Sequence, residues 1–595
     1  MPGTHYEIAA HDVHAHLFEV RCTVPRPAPD GQRFRLPAWI PGSYLIREFA
    51  RQFSDVGAEA GGVPVAIHKE SKDTWRAAPT SAPLTVIARV YAFDLSVRTA
   101  YLDATRGYFN GAAMFLCPEG HERAPCTLDV VAPAGDACAR WRVATTLAAE
   151  SVDARGFGRY RAASYEDLID HPVEIADFVE VTFAARGVPH VVALTGRVDI
   201  DGDRLARDLQ RVCEAHIDLF GGSAPFERYL FQVMAVGDGH GGLEHRDSTS
   251  LLCRRDELPR RALGAPNDEY VNLLGLASHE YFHAWNVKRI KPAVFAPYDL
   301  SRENYTRDLW AYEGVTSYYD DLALVRSGVI EPARYLELVA RTITTVLRMP
   351  GRRRQSLADA SFDAWIKFYR PDENSPNATV SYYTKGALVA LALDLALRIG
   401  GEASLDDVMR RLWSRYGARE IGVPEGEIER IASEFGGAVV PDIFARCVHG
   451  TDDPPLDRLL AAFGVELHLR PAASGNDRGG KPASAPLPSA AIDAKVTGDM
   501  RIQHAYRDGA AERAGLAADD VLVAFDGLRA TPDTLATLLR RPPDEHVRVH
   551  AFRRDELFDV ELTLAVPAAD TCYLTLVSDP PPRAAMLRNA WLGSA

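Results

Sequence analysis

Residues 271–292 read VNLLGLASHEYFHAWNVKRIKP, an apolar stretch around which the rest of the chain is built. It holds His279, Glu280 and His283, an H-E-x-x-H pattern inside an apolar run. Two histidines four apart lie on one face of a helix, close enough to share one metal ion. A glutamate directly after the first histidine is placed to act on a water held by that metal. From Val271 to Val287, Glu280 is the sole formal charge. A charge in an apolar helix is costly unless it has a partner, and a metal site supplies one. The expected helix runs from about Asp268 to Arg289. Lys288, Arg289 and Lys291 then sit at its C-terminal end, where cations suit the helix dipole, and Pro292 stops it.

Downstream, Leu309–Tyr319 (LWAYEGVTSYY) is an apolar, aromatic helical segment whose one charge is Glu313. A zinc site with two histidines needs a third protein ligand and an open position. A lone carboxylate in an apolar helix needs compensation. The two needs match at Glu313; Glu303, Asp308, Asp320 and Asp321 are nearby alternatives in polar or flanking positions. Further on, Ser381–Asp394 (SYYTKGALVALALD) is an apolar helix entered through Tyr382 and Tyr383, one hydroxyl free to face a cavity while the other packs.

Upstream, the strand Arg228–Val236 runs into GDGHGGLEHRDSTS at 237–250. Gly-rich backbone leaving a strand lets another chain approach closely. Read locally, Glu244 and His245 belong to a surface turn with a solvated glutamate. Farther upstream, Ala38–Phe53 (AWIPGSYLIREFARQF) crowds Trp39, Tyr44, Arg47, Glu48 and Arg51 into a few residues. It reads either as an ordinary corner of a sheet or as the lining of a substrate channel.

The chain has 595 residues, 47% hydrophobic and 25% charged, with a net charge of -14. That composition is ordinary for a globular protein. The acidity disfavours nucleic acid and anionic membrane as partners, since both want basic patches. The eight cysteines form no C-x-x-C pair and read as buried, reduced thiols, with one oxidised pair among Cys117, Cys126 and Cys138 as the alternative. The N-terminus shows no secretory pattern and no apolar run is long enough to span a bilayer, so a cytoplasmic location is the default expectation. A signal removed ahead of this numbering would leave the same picture.

Short alternating segments separated by Pro and Gly over residues 1–185 predict a β-domain. Residues 186–470 turn to long helical periodicities around the H-E-x-x-H. Residues 471–491 (PAASGNDRGGKPASAPLPSAA) read as a linker or flexible loop, 492–570 as a small separate unit, and 571–595 as a tail.

These blocks resemble the glycyl aminopeptidases, the sixty-first metallopeptidase family, which are thermolysin-like gluzincins. AWIPGSYLIREFARQF looks like that family's N-terminal β-domain signature. GGLEHRDS, SHEYFHAWNVKRIKP, LWAYEGVTSYY and SYYTKGALVALALD look like its catalytic blocks, in the family's order. GAAERAGLAADDVLVAFDG at 509–527 looks like part of a PDZ domain.

The resemblance implies a multidomain fold: an N-terminal β-domain, a thermolysin-like, mostly helical α+β catalytic domain and a C-terminal PDZ-like domain. It implies one zinc ion on His279, His283 and Glu313, with Glu280 as general base. Glu244 would bind the free α-amino group of the substrate; His245 stands where related gluzincins have Asn. Tyr383 would stabilise the oxyanion, with Tyr382 as rival, and Gly241 and Gly242 would pair with the substrate backbone. The implied partners are peptides with a free N-terminus, and the implied activity is removal of small N-terminal residues such as Gly and Ala. Oligomerisation is left open. The PDZ-like block has Asp519 where a glycine is usual and lacks a clear carboxylate-binding loop. An endopeptidase of the same fold, a PDZ-bearing scaffold with an inactive peptidase, and a zinc hydrolase of non-peptide substrates are the competing readings.

Overall fold

The computed structural model describes residues 3–261, 264–401 and 403–593. The chain divides into two units, residues 1–304 with 413–423, and residues 305–412 with 424–595. The boundary at 304/305 falls inside the stretch expected to be one catalytic domain.

In the first unit, an eight-stranded sheet runs edge to edge through Ala148–Val152, Gly158–Ala162, Cys126–Val131, Thr4–Asp12, Leu17–Val24, Leu84–Tyr91, Phe53–Ala60 and Val63–Val65. Its strands alternate as predicted: Leu17–Val24 buries every second residue. Thr4–Asp12 pairs in parallel with Cys126–Val131 (Thr4 opposite Cys126), whereas its other neighbour is antiparallel (His5 opposite Thr23). Phe18, Trp75, Phe109 and Phe115 fill the core between this sheet and two four-stranded ones.

A second, five-stranded sheet carries the site. Its order is Val179–Ala185, Val188–Thr195, Tyr229–Val236, Ser248–Arg254, Gly241–Glu244. Val179–Ala184, predicted within the N-terminal β-domain, belongs instead to this sheet. Alternation marks a strand without naming the sheet it joins. The amphipathic helix Gly202–Leu219 makes the crossover between two parallel strands.

The H-E-x-x-H helix is shorter than predicted, Asp268–Phe282, with His283 as its C-cap. Asn267 accepts from the Tyr270 N–H and caps its start. The basic run therefore does not serve the helix dipole. Past His283 the chain turns back, with Val287 at φ 134°. The Arg289 guanidinium donates to the carbonyls of Ala284 (2.7 Å), Arg246 (2.9 Å) and Pro225 (2.9 Å). Lys288, itself buried, reaches a half-buried Asp170 at 2.5 Å. These cations neutralise and bond interior groups, a tertiary use that local sequence does not display.

The second unit is mainly helical. Its central helix, Thr384–Gly400, buries residues on every side. The segment predicted as a continuous helix at 309–319 opens with a π-helical turn, Trp310–Gly314, before Val315–Arg326. Residues 471–491, predicted as a flexible linker, are tied down: Asp477 pairs with Arg470 at 2.5 Å, and Gly480 N–H donates to Cys572 O at 2.8 Å. The predicted tail is likewise built in. Thr571–Leu576 pairs antiparallel with Val465–Arg470, and the helix Pro582–Leu592 buries Trp591, whose indole N–H donates to Tyr318 Oη at 3.0 Å. A few apolar residues between prolines give little periodic signal, and their partners lie more than 100 residues away.

Residues 490–564 enclose a small core of their own around Ile502, Leu522, Phe525, Val547 and Leu562. The predicted D-G turn is present, with Asp526 and Gly527 both at positive φ between paired Phe525 and Leu528. Asp519 adopts φ 69°, the conformation that a glycine takes most readily and that Asp tolerates.

All eight cysteines are free. No helix among the described residues is long and apolar enough to cross a membrane.

Candidate active site

In the first unit the site is built on the edge strand Gly241–Glu244 and the helix Asp268–Phe282. Side chains two apart on a strand share a face, so Gly242 and Glu244 point the same way. A Cβ on Gly242 would lie 2.0 Å from Glu280 Oε1, so strand and helix can close only over a glycine. Leu243, on the opposite face, is buried in the core of the N-terminal β-domain and fixes the strand.

The His279 and His283 rings converge, with their Nε2 atoms 3.1 Å apart. A tetrahedral zinc at about 2.0–2.1 Å from each nitrogen would hold them about 3.3 Å apart, so the pair fits such an ion. His283 Nδ1 lies 2.6 Å from the Asn286 carbonyl. A carbonyl only accepts, so Nδ1 carries the proton and Nε2 presents its lone pair, the usual way an outer partner orients a metal-binding histidine. Glu280, buried, lies on the same helix. Glu244, Glu280 and His283 each place a ligand atom within 4.8 Å of the others.

Glu244 is not in a solvated turn. It is 3% exposed, and its Oε1 is buried without a hydrogen-bond partner among the described residues. Strand pairing to Thr249 turned it inward, whereas the Gly-rich sequence around it reads as a loop. His245 turns toward Asp170, with Nδ1 3.4 Å from Oδ1. Asp170 also accepts from Lys288 Nζ and, at 3.0 Å, from the Arg246 N–H. Burial alone would raise the Asp170 carboxyl, but Lys288 and His245 hold it well below the usual carboxylate range.

In the second unit, Glu313 sits in the π-helical turn, 2% exposed. A Cβ on Gly314 would meet Gly386 Cα at 2.6 Å, so this turn lies directly on the helix that Tyr383 opens. Tyr382 is fully buried, its ring 4.8 Å from that of Phe368. Tyr383 is half-buried, with its hydroxyl 3.3 Å from that of Tyr369. Burial pushes both phenols well above their ordinary value; the Glu313 carboxylate is the next cause for Tyr383, whereas Tyr369 precedes it for Tyr382. Tyr383 is thus a persistent hydrogen-bond donor beside the carboxylate. Of the alternatives to Glu313, the Asp308 carboxyl is pushed up to about 6 by burial and by Glu425. Asp320 and Asp321 are half-exposed.

Gly42 has a role that its local sequence does not single out. It has φ +92°, and a Cβ there would meet Glu244 Oε2 and Oε1 at 2.4 and 2.5 Å. Pro41-Gly42 forms the middle of a turn closed by Ser43 N–H donating to Ile40 O at 3.0 Å, the positions that a type II turn gives to Pro and Gly. The P-G pair was the available signal. Trp39 and Tyr44, in the same aromatic stretch, are fully buried and brace the turn: Trp39 Nε1 donates to Asp299 O, and Tyr44 stacks on Phe295. For Asp170 the local sequence carried no signal.

Residues 5–177 match the Peptidase M61 N-terminal domain, and residues 272–389 match the M61 glycyl aminopeptidase. The crystal structure of an aminopeptidase N family protein from Idiomarina loihiensis is 40% identical, with 99% of this chain and 100% of that one covered and a TM-score of 0.94. The crystal structure of an M1 zinc metallopeptidase from Deinococcus radiodurans is 16% identical, with 76% of this chain and 95% of that one covered and a TM-score of 0.47. A comparison with curated proteins finds no match. With both domain families matched in order and a 40% identical structure superimposing along its full length, the chain belongs to the M61 glycyl aminopeptidase family and is a metallo-aminopeptidase that hydrolyses peptide bonds.

Proposed function

We propose that the chain is a zinc aminopeptidase that removes small N-terminal residues, Gly and Ala first, from peptides with a free α-amino group. The observation that carries this reading is Glu244. A buried carboxylate whose Oε1 has no partner among the described residues has an oxygen within 4.8 Å of the general-base candidate Glu280, and it needs a cation. A substrate α-ammonium supplies one through charge-assisted hydrogen bonds. His279, His283 and Glu313 would hold the zinc, two imidazoles and a carboxylate being a donor set that leaves a position open. When bound, zinc supplies a Lewis acid that acidifies water and polarises the scissile carbonyl.

The chain's own residues do the rest. Glu280 accepts the proton of the attacking water and passes it to the leaving amine. Tyr383 donates its phenol hydrogen to the oxyanion, while Tyr382, wholly buried, packs. The edge strand at Gly241–Gly242 pairs with the extended substrate backbone. The Pro41–Ser43 turn closes on the Glu244 carboxylate, and this close wall beside the amine site supports a preference for small first side chains. The 492–570 unit is read as PDZ-like, by its D-G turn and the block at 509–527. The test is a panel of aminoacyl chromogenic substrates and their N-blocked counterparts, with and without a zinc chelator. Cleavage confined to free-amine Gly and Ala substrates and abolished by chelation is expected. Equal turnover of N-blocked peptides would overturn the reading in favour of an endopeptidase.

A further inference from the structure

Arg98 lies in the N-terminal β-domain, on the turn after Leu84–Tyr91, and its guanidinium runs along the edge strand of the catalytic sheet. Nη2 donates to Gly242 O at 3.3 Å, and Nη1 is 3.7 Å from where a Cβ on Gly241 would stand. Nε is buried without a hydrogen-bond partner, and no carboxylate lies within ion-pair distance among the described residues. A guanidinium carries five N–H donors in a planar fork suited to a carboxylate, and here most of them are unused.

This placement is held firmly. Arg98 N–H donates to Ser96 Oγ at 3.1 Å. The adjoining Val97 carbonyl accepts from Asn110 Nδ2 at 2.7 Å and lies 3.0 Å from Tyr108 Oη. Tyr108 Oη is in turn 2.8 Å from Ser250 Oγ, on the strand paired with Gly241–Glu244. The turn is therefore clamped to the sheet whose edge it overhangs, within one structural unit.

We propose that Arg98 binds the C-terminal carboxylate of very short peptides, making di- and tripeptides the preferred substrates. The proposal rests on Glu244 anchoring the α-ammonium. From Glu244 back to Gly242 is two strand residues, about 7 Å at roughly 3.4 Å per residue. An extended di- or tripeptide places its two charged ends about 6–10 Å apart by the same rise. With its ammonium at Glu244 and its backbone along the strand edge, such a peptide ends beside the Arg98 fork. A longer peptide, or one capped as an amide, offers no charge there.

The experiment compares Ala-Ala-Ala with Ala-Ala-Ala amide, both with free amines, on wild type, Arg98→Met and Arg98→Lys, with melting temperature and metal content recorded for each. Wild type is expected to favour the acid over the amide by roughly ten- to hundred-fold in kcat/KM, the range of a charge-assisted contact. Arg98→Met should collapse that ratio toward one, chiefly through KM for the acid, and Arg98→Lys should restore part of it. Wild type that cleaves both equally, or an Arg98→Met that lowers both alike, overturns this inference. Wild type that cleaves neither overturns instead the amine-anchor reading beneath it.

Discussion

Gly42→Ala offers a sharp test of how the N-terminal turn and Glu244, the proposed amine anchor, fit together. The added Cβ would sit 2.4–2.5 Å from the Glu244 carboxylate oxygens, against an ordinary contact of about 3.4 Å or more. The carboxylate is the end of a flexible side chain, so it will swing aside by about 1 Å rather than unfold the turn. Two costs then separate. The alanine at φ +92° costs about 1–2 kcal/mol in backbone strain, which falls on stability. The displaced carboxylate loses a charge-assisted contact worth about 1.5–3 kcal/mol, which falls on binding of the ammonium and amounts to roughly 10- to 150-fold in kcat/KM. The assay is a double-mutant cycle: wild type, Gly42→Ala, Glu244→Ala and the double variant, on a free-amine alanyl substrate. Once Glu244 is gone there is nothing left to displace, so the second substitution should add almost no kinetic loss while its loss of melting temperature persists. If Gly42→Ala keeps wild-type kcat/KM, or costs as much without Glu244 as with it, the contact between turn and anchor is refuted.

Glu280→Gln should keep its metal while kcat falls by about 10²–10⁴, the range for loss of a general base; metal analysis beside steady-state kinetics checks both halves. Glu313→Ala should lower zinc occupancy at fixed free zinc, and full occupancy would move the third ligand elsewhere. Tyr383→Phe should lower kcat by about 10²–10³, while Tyr382→Phe should leave kcat near wild type, because its ring is wholly buried in packing. Lys288→Met should destabilise the fold by up to about 3–5 kcal/mol, because it removes the cation paired with Asp170 and leaves only His245 and the Arg246 N–H beside it. Because the native Asp170 carboxyl is depressed, the stability it contributes is complete above its unfolded value near 4. It is lost as pH falls through the native one, so denaturant curves of wild type and variant should converge only in strong acid.

Much of the site's chemistry was legible in local sequence because it is local. The spacing of His279 and His283 is a helix period, and isolation in apolar runs marks Glu280 and Glu313 as needing partners. The strands of the N-terminal domain announced themselves by alternation, and the D-G turn at 526–527 by its backbone demand. What local sequence does not display is a role that depends on a partner far along the chain. Lys288 finds Asp170 from 118 positions away, which replaced a plausible dipole role with a buried ion pair. Glu244 looked solvated until pairing with Thr249 turned it inward. The predicted tail packed because Trp591 meets Tyr318, 273 positions away.

Local sequence suffices to single out candidates for the chemistry: a helix with metal-ligand spacing, a glutamate placed as a base, a candidate third ligand and a pair of tyrosines, each marked by its own few neighbours. Tertiary structure alone decided what surrounds them. Gly42 against Glu244, and Arg98 along Gly242 from 144 positions away, are contacts between the N-terminal β-domain and the edge strand. The physical reason is that helical period and strand alternation act over a few residues. The close approach of two distant backbones, and the charge left unpaired between them, exist only once the chain has folded.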